Sequence, residues 1–203
     1  MENLVEEPAV AYPHRYTPEE YLEMEWENGV RYEYWDGELV AMASPTLIHN
    51  ELVFNITSPL KTYAKKKGCK TFMSEASLKL SNGKNYLLPD VIFTCNEDDL
   101  NSTRFIQNPA ILVEVLSDSN EGYDYHQKWK VYQKIRSLRY YLLVSQHEYR
   151  VEMYSRPNEQ CLFFYQNFEG LDNVIQFKDL GFEMSLNEVY DGIPLPAKVE
   201  SQE

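Results

Sequence analysis

The stretch Ala110-Ile111-Leu112-Val113-Glu114-Val115-Leu116 constrains the fold more than any other. A strand with one wet face alternates apolar and polar residues. This run is apolar at both parities, which predicts a strand covered on both faces. Glu114 is its one exception, and an ionised carboxylate in such a place is costly unless it is paired or bound to a metal. Residues 87–93 repeat the anomaly, being apolar apart from Pro89 and Asp90. Pro89 has no N–H to give to a ladder, so the pairing should break just where the acid is presented. A single buried acid is most simply explained by a neighbouring Arg, Lys or backbone donor. Two acids on neighbouring strands point instead to a shared task, the holding of a divalent cation. Hard oxygen donors of this kind suit Mg²⁺ or Mn²⁺ rather than zinc.

Residues 1–15 read as a loose arm, 16–193 as one domain and 194–203 as a polar tail. Thr17-Pro18-Glu19-Glu20 carries the signature of a helix start, with Thr17 as N-cap and Glu20 closing a capping box. Asn28-Gly29 should end that helix, and Asp36-Gly37 predicts a tight hairpin between residues 31–35 and 38–42. Over 47–67, Leu52, Ile56, Leu60, Tyr63 and Ala64 recur near a helical period, with Pro59 expected to kink or split the helix. Strands are predicted at 71–80, 86–94 and 110–116, a helix at 125–135, and further strands at 139–144, 149–154 and 161–165. Leu162-Phe163-Phe164-Tyr165 reads as core rather than as a sticky surface. This order predicts an α/β (α+β) domain with a mixed β-sheet.

Cys69, Cys95 and Cys161 are odd in number and far apart, so three ordinary reduced thiols are expected, with neither a disulfide framework nor a zinc site. No run of about 18 apolar residues exists, and the acidic N-terminus is unlike a signal peptide; a cytoplasmic protein without membrane contact is the expectation. The net charge of −13 argues at first against a nucleic-acid partner. Its distribution is uneven, however. Residues 1–36 hold ten acidic and two basic side chains, whereas 60–85 hold seven Lys against one Glu, and 126–150 hold six Lys or Arg against one Glu.

Pro89-Asp90 followed by Glu114-Val115-Leu116 in an apolar strand resembles the PD-(D/E)XK nuclease superfamily, and in particular its Uma-type branch, grouped with restriction endonucleases. The resemblance spans about residues 16–154. It takes in Tyr32-Glu33-Tyr34-Trp35-Asp36-Gly37-Glu38, Ser44-Pro45 with His49, Leu87-Leu88-Pro89-Asp90-Val91, Val113-Glu114-Val115-Leu116-Ser117, Asp124 to Lys128 with Tyr132, and Tyr140-Tyr141-Leu142-Leu143-Val144. It implies a restriction-endonuclease-like core, a mixed sheet flanked by helices, with an added N-terminal hairpin and C-terminal strands. It also implies metal-dependent hydrolysis of DNA phosphodiester bonds, with Mg²⁺ or Mn²⁺ as cofactor and Asp90 and Glu114 as metal ligands.

The superfamily lysine, two places after the glutamate, is Leu116 here. In this branch the resemblance implies that the lysine has moved to the following helix, where Lys128 matches it as a catalytic residue able to touch the metal-bound water or the scissile phosphate. Tyr125, Trp129 and Tyr132 mark that helix's apolar stripe, and Lys128 borders it while Lys130 and Lys134 point away. A lysine whose stem merely covers core surface is the alternative, and Asp124, one turn earlier, is a candidate partner. Glu38 shares a strand face with Val40 and Met42, and the resemblance adds it to the acidic cluster as a catalytic residue. His49 and Lys130 are candidate substrate contacts, and Glu75 is held in reserve. The basic stretch 61–70 with Lys130, Lys134, Arg136 and Arg139 would track a DNA backbone. Nucleases of this kind often act as dimers, so a homodimer is a further expectation. The missing lysine at Leu116 and the −13 charge leave a second reading open: an inactive nuclease-fold module that binds DNA or protein.

Overall fold

The strand containing Glu114 sits near the middle of a six-stranded sheet, and every one of its positions is buried. In the computed structural model, which describes residues 14–25, 30–42, 44–74, 76–116 and 124–195, the sheet order is β10 (Phe164–Glu169), β9 (Arg150–Ser155), β8 (Tyr140–Ser145), β7 (Ile111–Leu116), β6 (Val91–Thr94) and β3 (Lys70–Met73). Only β7 and β8 run parallel; the other four pairings are antiparallel. A parallel pair needs a crossover. That crossover contains a π-helical turn, Asp124–Lys128, and the short helix α4, Trp129–Tyr132.

Alternating residues of β7 feed two cores. Ile111, Val113 and Val115 pack with helix α2 (Leu47–Lys67), through Leu52, Val53, Ile56 and Leu60. The same core takes in the hairpin β11 (Val174–Phe177) and β12 (Phe182–Ser185) and the helix α5 (Leu186–Val189), through Ile175, Met184 and Leu186. Leu112 and Leu116 face the crossover, packing with Tyr132, Leu138 and Tyr141. Glu114 occupies the place between them on that second face. The expected mixed sheet flanked by helices is therefore present.

Several local expectations are refined. Helix α1, Pro18–Glu23, starts with the capping box of Thr17 and Glu20. The hairpin of β1 (Tyr32–Trp35) and β2 (Glu38–Ala41) turns through Asp36 at φ 44° and Gly37 at φ 103°, the left-handed conformations such a turn requires. Pro59 does not split α2, which is one helix with apolar residues anchored in the core on both sides of it. The run 86–94 is two strands, not one. β5 (Asn85–Leu87) belongs to a small sheet of order β2-β1-β5-β4, where β4 is Leu78–Lys79, and β6 belongs to the large sheet. Pro89 lies at the break, so Asp90 stands at the mouth of β6. The short helix α3, Glu97–Asn101, and the β11–β12 hairpin were not anticipated.

Two expectations are overturned. Cys69 and Cys95 are joined in a disulfide, with Cα atoms 4.3 Å apart; Cys161 is the free thiol. Their sequence separation of 26 conceals the reason. β3 pairs with β6 so that Lys70 lies opposite Thr94, and the residues just outside that pair are brought face to face. Closing a loop of this length should contribute roughly 2–4 kcal/mol. Reduction, or Cys95→Ser, is expected to lower the unfolding midpoint accordingly; an unchanged urea midpoint in reductant would refute the contribution. Second, Leu162, Phe164 and Tyr165 are exposed rather than core. β10 is an edge strand, exposed at five of its six positions, and of this aromatic run Phe163 packs against the second core.

Among the described residues, no helix is long and apolar enough to cross a membrane. The expectations for residues 1–13, Asn28-Gly29, Glu75, Ser117 and 196–203 lie outside the described residues, as do the side chains of Asp124 and Tyr125.

Candidate active site

The sheet brings the two acids together through its register. β6 and β7 pair Val91 with Val113, so one step further along the antiparallel ladder Asp90 lies level with Glu114. Asp90 Oδ2 accepts the backbone N–H of Val115 at 2.7 Å, which holds this carboxylate one peptide away from Glu114. Asp90 Oδ1 faces His49 Nε2 at 3.2 Å. His49 is delivered by the first turn of α2, and Thr46 fixes that turn. Its side chain caps His49 N and donates to Gln146 Oε1 at 2.6 Å, while Gln146 Nε2 binds the Leu116 carbonyl at 2.8 Å. The start of the helix is thereby tied to the end of the Glu114 strand. The other ring nitrogen of His49, Nδ1, is buried without a hydrogen-bond partner.

Glu114 is 2% exposed and meets two groups from the crossover. Lys128 Nζ lies 2.9 Å from Oε2, and the Tyr132 hydroxyl donates to Oε1 at 2.9 Å. Lys128 and Tyr132 are four residues apart, so both project from one side of the helical segment. The π-helical turn ends at Lys128, a feature that often marks sites with work to do. Burial, and then the Glu114 charge, push the Tyr132 phenol well above its ordinary range; it stays protonated and donates. Lys128 is also 2% exposed, and its stem does not merely cover the core, because the ammonium is directed inward. Leu116, at the superfamily's lysine position, is a packed hydrophobe 5% exposed in the second core.

A third carboxylate joins the cluster. Glu33, on β1, is 2% exposed and places Oε1 3.1 Å from Lys128 Nζ. The same oxygen accepts Leu88 N at 2.9 Å, and Oε2 accepts Trp35 Nε1 at 3.2 Å. Sequence reasoning gave Glu33 no role and read Tyr132 only as apolar packing. The available signal was a lone acid in the aromatic strand Tyr32-Glu33-Tyr34-Trp35, a smaller version of the Glu114 anomaly.

Glu38 does not belong to the cluster. It is exposed and ion-paired with Arg15 at 3.3 Å, both side chains being 66% exposed. The face reading from β2 was sound, since its register sets Glu33 opposite Val40. Glu38, however, sits beside the turn, opposite Trp35 on an edge strand, where Arg15 meets it. Lys130 is exposed on α4, away from Glu114. No group of three or more His, Cys, Asp or Glu side chains able to hold a metal ion is present among the described residues. Asp90 and Glu114 still fit Mg²⁺, which is commonly bound through one or two carboxylates, with water and substrate phosphate completing its shell.

Comparison with known proteins places this geometry in context. A family model described as "Putative restriction endonuclease" (Uma2) matches residues 18–187. An uncharacterized protein of Synechocystis sp. (strain ATCC 27184 / PCC 6803 / Kazusa) is 30% identical over 186 residues, covering 92% of this chain and 96% of that protein. A second uncharacterized protein of the same strain is 33% identical over 146 residues, covering 71% and 82%. The fold is also that of a crystal structure from Anabaena variabilis ATCC 29413, described as a putative nuclease belonging to DUF820. Its TM-score is 0.69 at 16% identity, with coverage of 86% of this chain and 97% of that one.

Proposed function

The chain belongs to the Uma2 family, and from that premise and its acidic cluster we propose that it is a divalent-metal-dependent endonuclease acting on DNA phosphodiester bonds. One observation carries the reading. Two buried glutamates, Glu33 and Glu114, flank a single buried ammonium, with a third carboxylate, Asp90, held one peptide away. Among the described residues, carboxylates outnumber ammonium groups there, an arrangement that is costly in isolation and suits a site that takes up a cation.

Asp90 and Glu114 would hold the ion. A divalent cation bound there lowers the pKa of a water and offsets charge developing on the scissile phosphate. The remaining work falls to the chain's own groups. The Val115 N–H and His49 fix the Asp90 carboxylate, and Tyr132 fixes Glu114. Lys128 brings positive charge to the side of Glu114 where a phosphate would sit, and Glu33 keeps that ammonium in place.

The test is incubation of the purified protein with duplex, single-stranded and branched DNA, in Mg²⁺ or Mn²⁺ and in EDTA. Metal-dependent cutting of at least one substrate is expected. No cutting in any combination would sink the proposal. A second reading, a binding module on a nuclease scaffold, is favoured by Leu116 and by the internal pairing of both Glu114 oxygens. It predicts DNA or protein binding with no metal-dependent change in melting temperature.

A further inference from the structure

On the outer face of α2 lies a groove of about 380 Å³, lined by Phe54, Thr57, Ser58, Lys61, Lys65 and Met73. Its character is unusual for a surface helix. Phe54 is 60% exposed and Met73 48% exposed. Phe54, Ser58, Lys61 and Lys65 follow one another at spacings of four, three and four, so they form one stripe along the helix. Thr57 is only 6% exposed, and its hydroxyl is buried without a hydrogen-bond partner. Lys61 and Lys65 are exposed, and no ion pair engages them among the described residues. In a protein of net charge −13, two uncompensated lysines beside a bare aromatic ring form a local exception.

The groove is linked to the site through the backbone of β3 and β6. Met73 pairs with Val91, the residue after Asp90, and Ser74 N donates to the Asp90 carbonyl at 3.1 Å. On the helix, Phe54 lies five residues beyond His49, about 7.5 Å along the axis and about 140° around it. Lys65 lies about 24 Å from His49 by the same rise. A chain leaving Asp90 along α2 would meet Phe54 first and the lysines after it.

We infer that this groove binds a single-stranded stretch of nucleic acid, with an unstacked base on Phe54 and phosphates at Lys61 and Lys65. The inference rests on the nuclease reading and names its substrate class. An exposed ring offers a stacking platform to any base whose face is free. A duplex hides those faces and offers a flanking lysine pair its phosphates alone. Charge complementarity selects a polyanion over a second copy of this acidic chain.

The experiment is fluorescence anisotropy in EDTA, so that binding is read without cleavage, using a labelled oligo-dT of 20 nucleotides and a duplex of equal length. The single strand is expected to bind more tightly. Phe54→Ala should weaken it about tenfold, a value within the range for loss of one stacked base, while Phe54→Trp restores it and duplex binding does not move. Lys61→Gln/Lys65→Gln should lower the slope of log affinity against log salt by about 1.4, the value for two single-strand phosphates. Unchanged single-strand binding by Phe54→Ala would overturn the inference. So would a self-association, seen by sedimentation, that Phe54→Ala abolishes, because the groove would then be covered by a second copy. Cleavage in Mg²⁺ is scored separately, so strand binding without cutting refutes the nuclease reading alone, and cutting without single-strand preference refutes the groove alone.

Discussion

Replacing Lys128 by methionine is expected to destabilise the protein by about 3–5 kcal/mol, the cost of breaking a buried ion pair by removing one partner. Methionine keeps much of the length of the stem and packs well among apolar neighbours, so little of the loss would come from a cavity. What it removes is the ammonium 2.9 Å from Glu114 and 3.1 Å from Glu33. Two carboxylates, each 2% exposed, would then face one another without that cation. Adding Glu33→Gln to the variant should recover part of the loss by taking one of those charges away. Lys130→Met, on the exposed side of the same helix, should stay within about 0.5 kcal/mol of the parent. Urea unfolding of the four proteins measures all of this. A loss below about 1 kcal/mol for Lys128→Met would place the trio in the class of solvent-screened pairs.

Glu114→Gln should lower metal-dependent cleavage about a thousandfold, equivalent to about 4 kcal/mol of transition-state stabilisation. The amide is nearly the same size as the carboxylate and its oxygen can still accept from Tyr132, so packing is largely preserved. The charge that would hold a cation is lost, and the amide NH₂ is a poor neighbour for the Lys128 ammonium. Because Glu33 continues to pair with Lys128, the fold should suffer less than in Lys128→Met. Melting in Mn²⁺ separates the two causes of lost activity. A ligand at a hundred times its Kd stabilises by about 2.7 kcal/mol. The wild-type protein should show a shift of that order and Glu114→Gln should not. A variant that cuts within tenfold of wild type, or that still shows the full Mn²⁺ shift, would remove Glu114 from the metal site.

These two substitutions probe parts of the site that differed in how far the sequence disclosed them. Asp90 and Glu114 stand out because an acid inside an apolar run is an energetic anomaly visible without any partner. Lys128 could be placed beside the apolar stripe of its helix, but which carboxylates it would meet depended on how that helix packs on the sheet. Glu33 and Glu38 show the limit more sharply. Both lie on one face of the same hairpin, and the resemblance favoured Glu38. The distance from the turn decides between them: Glu38 beside Trp35 reaches Arg15, whereas Glu33 is enclosed by Leu88, Trp35 and Lys128.

Local physical chemistry, written in the order of residues, determined many of the elements. The capping box at Thr17, the Asp36-Gly37 turn, the α2 stripe and the doubly apolar β7 all follow from nearest-neighbour sterics, caps and periodicity. The costly acids in the buried strands follow from the same reasoning, since desolvation depends on the surrounding run. Tertiary structure alone decided everything that joins residues distant in sequence. The β3–β6 register brought Cys69 to Cys95, the break at Pro89 sent β5 and β6 into different sheets, and the crossover laid Lys128 and Tyr132 over Glu114. Contacts of this kind carry no periodic signal, because they depend on which strand lies next to which and on where each helix comes to rest. Asp90 and Glu114 were legible as a pair of anomalies; the ammonium and the third carboxylate around them were not.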